Sequence, residues 1–247
     1  MTTVAVLCDP PRPGLVLSEL VASSPLEELE AADLYAALLK DSVAAAERSG
    51  GELLVNYRSD DALPVAGEDA ETAVRNVVAE ALDDLDDVRF EVQVGESFAG
   101  RAGNTATHLL ETEEVGSVAI TRPEAAFLAR TEIDESAMKL RSSEVILGPA
   151  PGGRVYFAAF REPIDYADAY TAPAIETLTD RGLDAGLDVD FLGTKPYVET
   201  AVDLADVITE VRTRRKAAGV VPRYLAEWVA DSDLVVEPTD DGLTLAR

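Results

Sequence analysis

The chain has 247 residues, with 47 Asp and Glu against 21 Lys and Arg, a formal net charge of −26 at pH 7 and a pI near 4.2. That balance argues against nucleic acid or an anionic membrane surface as the main partner, since both select basic patches. Periodic apolar runs and a 47% hydrophobic content exclude disorder, and the length suits one α/β domain of ordinary size or two small ones.

Residues 3–8 are a β-branched apolar run that predicts a buried strand, closed by the stiff loop Asp9-Pro10-Pro11-Arg12-Pro13-Gly14. A helix is expected to start at Ser24-Pro25, with Ser24 as cap, Pro25 at the first helical position and Glu27 closing a capping box, and to stop at Gly50-Gly51. Strands follow at 52–57, 89–95, 117–121, 144–148 and 154–160, with helices at 69–85 and 104–111 between them. The last two strands are separated by Pro149-Ala150-Pro151-Gly152-Gly153. A helix at 172–185, a strand at 188–192 and helices at 201–215 and 222–230 come next, and Asp240-Asp241-Gly242 predicts a terminal hairpin. This alternation predicts a mostly parallel sheet covered on both faces, with ligands beyond the carboxyl ends of the strands. The simplest division is one domain over 1–218 with an extension over 219–247.

The charge describes the solvent more than a substrate. Acidic residues are scattered through every segment, and the basic ones are 17 Arg against Lys40, Lys139, Lys195 and Lys216. A dispersed, Lys-poor acidic surface reads as solvation in a salt-loaded cytoplasm, where the Debye length falls to about 3 Å at 1 M salt. Cys8 stands alone, so no disulfide framework or cysteine-rich metal site is expected. The opening residues lack a basic signal-peptide region and no run approaches a membrane span, so a soluble, cytoplasmic protein is expected.

Five segments are candidates for chemistry. The loop carrying Arg12, Pro13 and Gly14 lies where nucleotide phosphates are met after a first strand, although it is neither a dinucleotide fingerprint nor a P-loop. Gly152 and Gly153 read first as a positive-φ turn, and second, with Arg154, as a place of close backbone approach with a phosphate-holding arginine. Glu199 is suited to ligate a metal, but one carboxylate is no Mg²⁺ site, and Thr200 with Asp203 reads as a helix cap. His108, the single histidine, lacks a visible nucleophile or carboxylate partner for base catalysis and reads as a half-exposed helix residue. Arg212, Arg214, Arg215 and Lys216 concentrate cations at a helix end, where they complement the dipole or meet a phosphate or partner.

In order, these segments resemble a family. The run from Asp9 through Gly14 to Leu20, then Ala31-Ala32-Asp33-Leu34-Tyr35 and Asp41, is similar to the A-x-P-x-P-G-x-x-K-T-R-L loop, AA-x-LY helix and later Asp of the GT-A-type transferases encoded beside radical-SAM/selenodomain proteins. Gly148 to Val155 echoes that family's G-P-A-x-D-G-G-Y, and Tyr197 to Leu204 its D-V-D-T-P-E-D-L. The likeness is strongest to a haloarchaeal branch, runs through most of the chain, and extends to molybdenum-cofactor and phospholactate guanylyltransferases. It implies the nucleotide-diphospho-sugar transferase superfamily: a GT-A-like α/β three-layer sandwich with a mixed, mainly parallel sheet, a nucleotide or nucleotide sugar as partner, and Mg²⁺ or Mn²⁺ as cofactor.

The departures bear on activity. Leu17, Ser18 and Glu19 stand at the family's Lys-Thr-Arg, Thr121 and Gly152 at two of its acidic positions, and Tyr197 and Glu199 at its late Asp positions. Arg12, Arg101, Arg122 and Arg154 are suited to restore positive charge for phosphates, but arginines do not replace metal ligands. The resemblance therefore implies either a nucleotide- or nucleotide-sugar-binding transferase, with reduced or lost activity, or a degenerate scaffold or regulatory protein that keeps the fold. A guanylyltransferase of deazaflavin cofactor synthesis rests on the distant relationship.

Overall fold

A computed structural model describes residues 2–240 and 242–247. Strands β1 (Thr2–Cys8), β2 (Glu52–Tyr57), β3 (Arg89–Val92), β4 (Ser117–Thr121), β5 (Val145–Ala150), β6 (Arg154–Phe160) and β7 (Val189–Phe191) form a seven-stranded sheet in the order β3-β2-β1-β4-β6-β5-β7. β6 pairs antiparallel with β4 and β5, and every other pairing in this sheet is parallel. The carboxyl ends of β1, β2, β4 and β5 therefore share one edge with the start of β6.

The residue period of two along β1 distributes its apolar side chains to both faces. Val4 and Val6 pack with Leu39 and Val43 of α2 (Glu28–Glu47), Val74 and Val78 of α3 (Ala70–Ala79), and Ile133 of α5 (Arg130–Lys139). Ala5 and Leu7 pack with Ala102 and Ala106 of α4 (Phe98–Thr107) and Leu178 of α6 (Ala174–Asp184). The result is the expected three-layer α/β arrangement.

α2 is apolar on nearly every side, which a helix tolerates only when it is covered on both faces. Its Leu34 and Leu38 join a second core with Val207, Ile208 and Val211 of α7 (Ala201–Lys216) and Leu225 of α8 (Arg223–Asp231). Leu245 of the hairpin β8 (Val235–Thr239) and β9 (Gly242–Ala246) is buried in the same layer. Asp241, part of the expected hairpin turn, lies outside the described residues. No helix among the described residues is long and apolar enough to cross a membrane.

Several boundaries differ from expectation for local reasons. Ser24 accepts a hydrogen bond from the Leu26 N–H at 3.3 Å, holding that stretch as a turn, and α2 starts later, with the Glu27 N–H donating to Glu30 at 2.8 Å. α3 ends well before Leu85, and in the acidic run beyond it the Asp86 N–H donates to the Asp84 carboxylate at 2.9 Å, a local bond that competes with the helix. α4 begins at Phe98 because Ser97 caps the Gly100 N–H at 3.0 Å, and it passes into a widened π-type turn at His108–Thr112. The short α1 (Ser18–Ser23) buries Leu20 alone, and α5 buries only Ile133 and Ser136, so neither shows a period long enough to be predicted.

Candidate functional site

At β1 the path of the sheet reverses, with β2 on one side and β4 on the other. Such a switch point opens a crevice at the carboxyl edge. Val6 of β1 stands beside Thr121, so the loop after Cys8 and the segment after Thr121 face each other there. The Asp9 N–H donates to the Tyr35 hydroxyl at 3.0 Å, and the Arg58 guanidinium grips the Asp9 carboxylate with bonds of 2.5 and 2.6 Å. The Cys8 thiol is buried beneath, and that burial pushes its pKa up, away from reactivity.

Two adjoining cavities occupy the crevice. The larger, about 470 Å³, is lined by Arg122, Gly152, Gly153, Arg154 and Glu199, with Phe98 and Tyr170 as its aromatic wall. Those two rings meet edge to face at 4.8 Å between centroids, and the Arg122 guanidinium lies 4.7 Å from the centre of Phe98. The smaller, about 160 Å³, lies under residues 15–19 and shares Arg122, Tyr197 and Glu199 with the first. Gly152 and Gly153 adopt φ of 74° and 73° in the β5–β6 turn, which favours glycine, and a Cβ on Gly153 would stand 2.8 Å from Pro173.

The two arginines of the crevice are already paired. Arg154 lies 2.6 Å from Glu199 and 3.0 Å from Asp203, while Asp203 also accepts from the Thr200 N–H at 2.8 Å as the start of α7. Arg122 pairs with Glu124 at 2.5 Å. The second oxygen of Glu124 is buried with no hydrogen-bond partner, and burial pushes this carboxyl upward in pKa.

The remaining sequence candidates stand outside these cavities. Arg12 is buried and turned away from the crevice, donating to the Val65 carbonyl at 2.7 Å, to Asp60 at 2.5 Å and to the Glu68 carbonyl. Pro13 and Gly14 follow it in the same turn and line neither cavity. Arg101 donates to Gln93 at 2.6 Å and to the Glu96 carbonyl at 2.9 Å. Burial, and then neighbouring Arg58, lower its pKa. His108 is exposed beside Glu113, 3.3 Å away, and does not reach the crevice. A cavity of about 580 Å³ at the opposite, amino-terminal edge, between Gly51, Ser117 and Asp134, lacks a converging set of chemical groups.

The residues present do not fit a divalent cation. Among the described residues no three His, Cys, Asp or Glu side chains converge. The Thr121 hydroxyl donates to the Tyr156 carbonyl at 2.9 Å inside the sheet, Gly152 brings no side chain, and Glu199 is held by Arg154. Mg²⁺ demands near-octahedral oxygen ligands, which this set does not supply.

No protein-family model and no curated protein sequence matches the chain. Solved structures do. A protein from Desulfovibrio desulfuricans G20 assigned to the nucleotide-diphospho-sugar transferases matches with a TM-score of 0.74 at 16% identity, over 94% of this chain and 95% of that one. This chain has the nucleotide-diphospho-sugar transferase fold. Two further structures match more loosely at this same fold level. A 4-diphosphocytidyl-2C-methyl-D-erythritol synthase from Anaerococcus prevotii DSM 20548 has a TM-score of 0.53 at 10% identity, over 85% of this chain and 96% of that one. A cytidylyltransferase from Leptospira borgpetersenii serovar Hardjo-bovis (strain JB197) has 0.51 at 8% identity, over 90% and 97%.

Sequence reasoning missed several groups that build this crevice: Phe98, Tyr170 and Glu124. Glu124, two residues after Arg122, carried a signal in the expected switch-point position, since a carboxylate placed directly after a parallel strand is brought to the ligand edge. Phe98 and Tyr170 carried none, because their meeting depends on how α4 and the chain before α6 are folded together.

Proposed function

We propose that the crevice binds a nucleotide or nucleotide sugar. The observation that carries this reading is the convergence of Arg122, Arg154 and the Gly152-Gly153 turn on one cavity at the carboxyl edge of the switch point. Arginine recognises phosphate by bidentate hydrogen bonds, and paired glycines admit a phosphate close to the backbone. The rings of Phe98 and Tyr170 offer an apolar face to a base or sugar. Two fold relatives that are cytidylyl-transferring by name support this class of ligand.

The protein is in this reading a transferase-like binder with reduced or lost activity. Thr121 and Gly152 stand where carboxylates would be needed, and Glu199 already neutralises Arg154. Binding therefore rests on the two arginines, and we route no chemical step through Mg²⁺ or Mn²⁺. The acidic, Lys-poor composition supports a cytoplasm rich in salt as its setting.

Calorimetric titration and thermal-shift measurements in molar KCl, with a panel of nucleotides and nucleotide sugars, test the reading. The expected result is binding without added metal, weakened about tenfold by Arg122→Ser or Arg154→Ser. Absence of binding by every nucleotide overturns it in favour of a scaffold that keeps the fold. A requirement for Mg²⁺ or Mn²⁺, lost in Glu199→Ala, overturns the metal-independent part and restores a metal-assisted transferase.

A further inference from the structure

Another cavity, about 480 Å³, lies away from the crevice, walled by α2, residues 127–132, Arg214 of α7 and residues 220–224 at the start of α8. Its charge inverts that of the chain. Five of the 21 basic side chains line it, Arg48, Arg130, Lys195, Arg214 and Arg223, against two of the 47 acidic ones, Asp41 and Glu132. Both acids are engaged. Glu132 pairs with Lys195 at 2.6 Å, and Asp41 accepts the N–H groups of Tyr224 and Leu225 at 3.0 and 2.8 Å. Arg48 is exposed and forms no ion pair among the described residues. Arg130, Arg214 and Arg223 keep partners four residues away on their own helices, exposed pairs of little worth that a stronger anion displaces.

Between the cations the walls are apolar. Phe127 carries the Arg214 guanidinium 5.1 Å above its ring, and Val220 stands 87% exposed at the rim. The basic run at the end of α7 divides accordingly. Arg212 and Arg215 donate to the carbonyls of Leu234 and Ala226 at 2.8 and 2.9 Å and so fasten the C-terminal segment, whereas Arg214 faces this cavity.

We propose that this cavity is a binding site for a small aromatic anion, a flat apolar body bearing a sulfonate, carboxylate or phosphate. The volume falls within the roughly 300–1,000 Å³ typical of small-molecule sites. A ring laid beside Phe127 gains apolar contact and a stacked guanidinium, and its anionic group meets cations from three walls. Five of the 21 cations of a chain of net charge −26 gather around one apolar hollow, Arg48 without an ion pair among the described residues and three in exposed pairs, which suits a ligand of opposite sign.

Fluorescence titration of the intact protein with anilinonaphthalene sulfonate, and with the neutral phenylnaphthylamine, tests this. The expected result is saturable binding of one sulfonate per chain, at least about tenfold tighter than the neutral dye, weakened about tenfold by Arg48→Ser or by Arg214→Ser and unchanged by Arg181→Ser on α6. Arg48 is exposed and has no ion-pair partner among the described residues, so Arg48→Ser is expected to leave the fold intact, as near-UV circular dichroism checks for each variant. Equal affinity for the two dyes, absence of saturable binding, or binding indifferent to both substitutions overturns the proposal. Displacement of the dye by polyglutamate but by no small aromatic anion also overturns it, in favour of an acidic peptide.

Discussion

The Arg154 guanidinium bridges Glu199 at 2.6 Å and Asp203 at 3.0 Å, so the arginine at the glycine turn and the acid before α7 answer each other. In the proposed binding reading, Glu199 competes with the ligand for Arg154. Glu199→Gln removes half of that competition. It is expected to tighten binding of a phosphate-bearing ligand in the crevice by about fivefold, as read by titration calorimetry without added metal. A loss of affinity in this variant would show that Glu199 touches the ligand itself.

Asp41 gives the fold a defined pH response. Burial pushes its carboxyl up to about 6, against the hydrogen bonds from Leu225 and Tyr224 that favour its charged form. A carboxyl raised above its unfolded value near 3.8 stabilises most below that value, and this contribution is lost as pH climbs through 6. Between pH 4 and pH 7 the native protein is expected to lose roughly 2 kcal/mol relative to Asp41→Asn, measured as the difference between their denaturant stabilities across that range. Parallel curves for the two proteins would contradict this.

Gly153→Ala tests the turn between β5 and β6. Gly186 has a similar φ of 74° with open space around it, whereas Gly153 also abuts Pro173. Gly186→Ala is expected to cost about 1 kcal/mol from the positive φ alone, and Gly153→Ala about 2–4 kcal/mol because a contact is added to the strain. Thermal melts of the two variants side by side separate the contributions. Equal costs would remove the Pro173 contact from the account.

Trp228 is the only tryptophan and lies on α8, so its fluorescence reports on the C-terminal segment. Leu225, fully buried beside α2 and α7, joins that segment to the second core. Leu225→Ala is expected to cost about 2–5 kcal/mol. In the native protein, fluorescence and far-UV circular dichroism are expected to trace one coincident urea transition. A separate, earlier fluorescence transition would mark 219–247 as an independently melting extension.

The strands were legible because their chemistry is local. Residues 52–57, 117–121 and 154–160 are apolar runs bounded by breakers, and they coincide with β2, β4 and β6. Helix starts were less so: Ser24 closes a turn at Leu26 so that α2 begins later, and Ser97 caps α4 ahead of its expected start. Within the crevice, Gly152, Gly153, Arg154, Arg122 and Glu199 come together as neighbours, because each lies within a few residues of a strand end or a helix start. Arg12 shows where sequence reading stops. Its position directly after β1 suggested a phosphate contact, yet carbonyls from residues 65 and 68, far away in the chain, take up its guanidinium.

That use of Arg12 has a kinetic consequence. By tying the loop after β1 to the chain ahead of α3, it fixes the loop before any ligand arrives, and Asp9 is clamped in the same way by Arg58 and Tyr35. For the proposed nucleotide ligand, a rim that is already set is expected to give association as a single encounter whose rate rises linearly with concentration in stopped-flow measurement. On that reading no slower closing phase is expected, and differences in affinity among ligands are expected to lie in how long each stays.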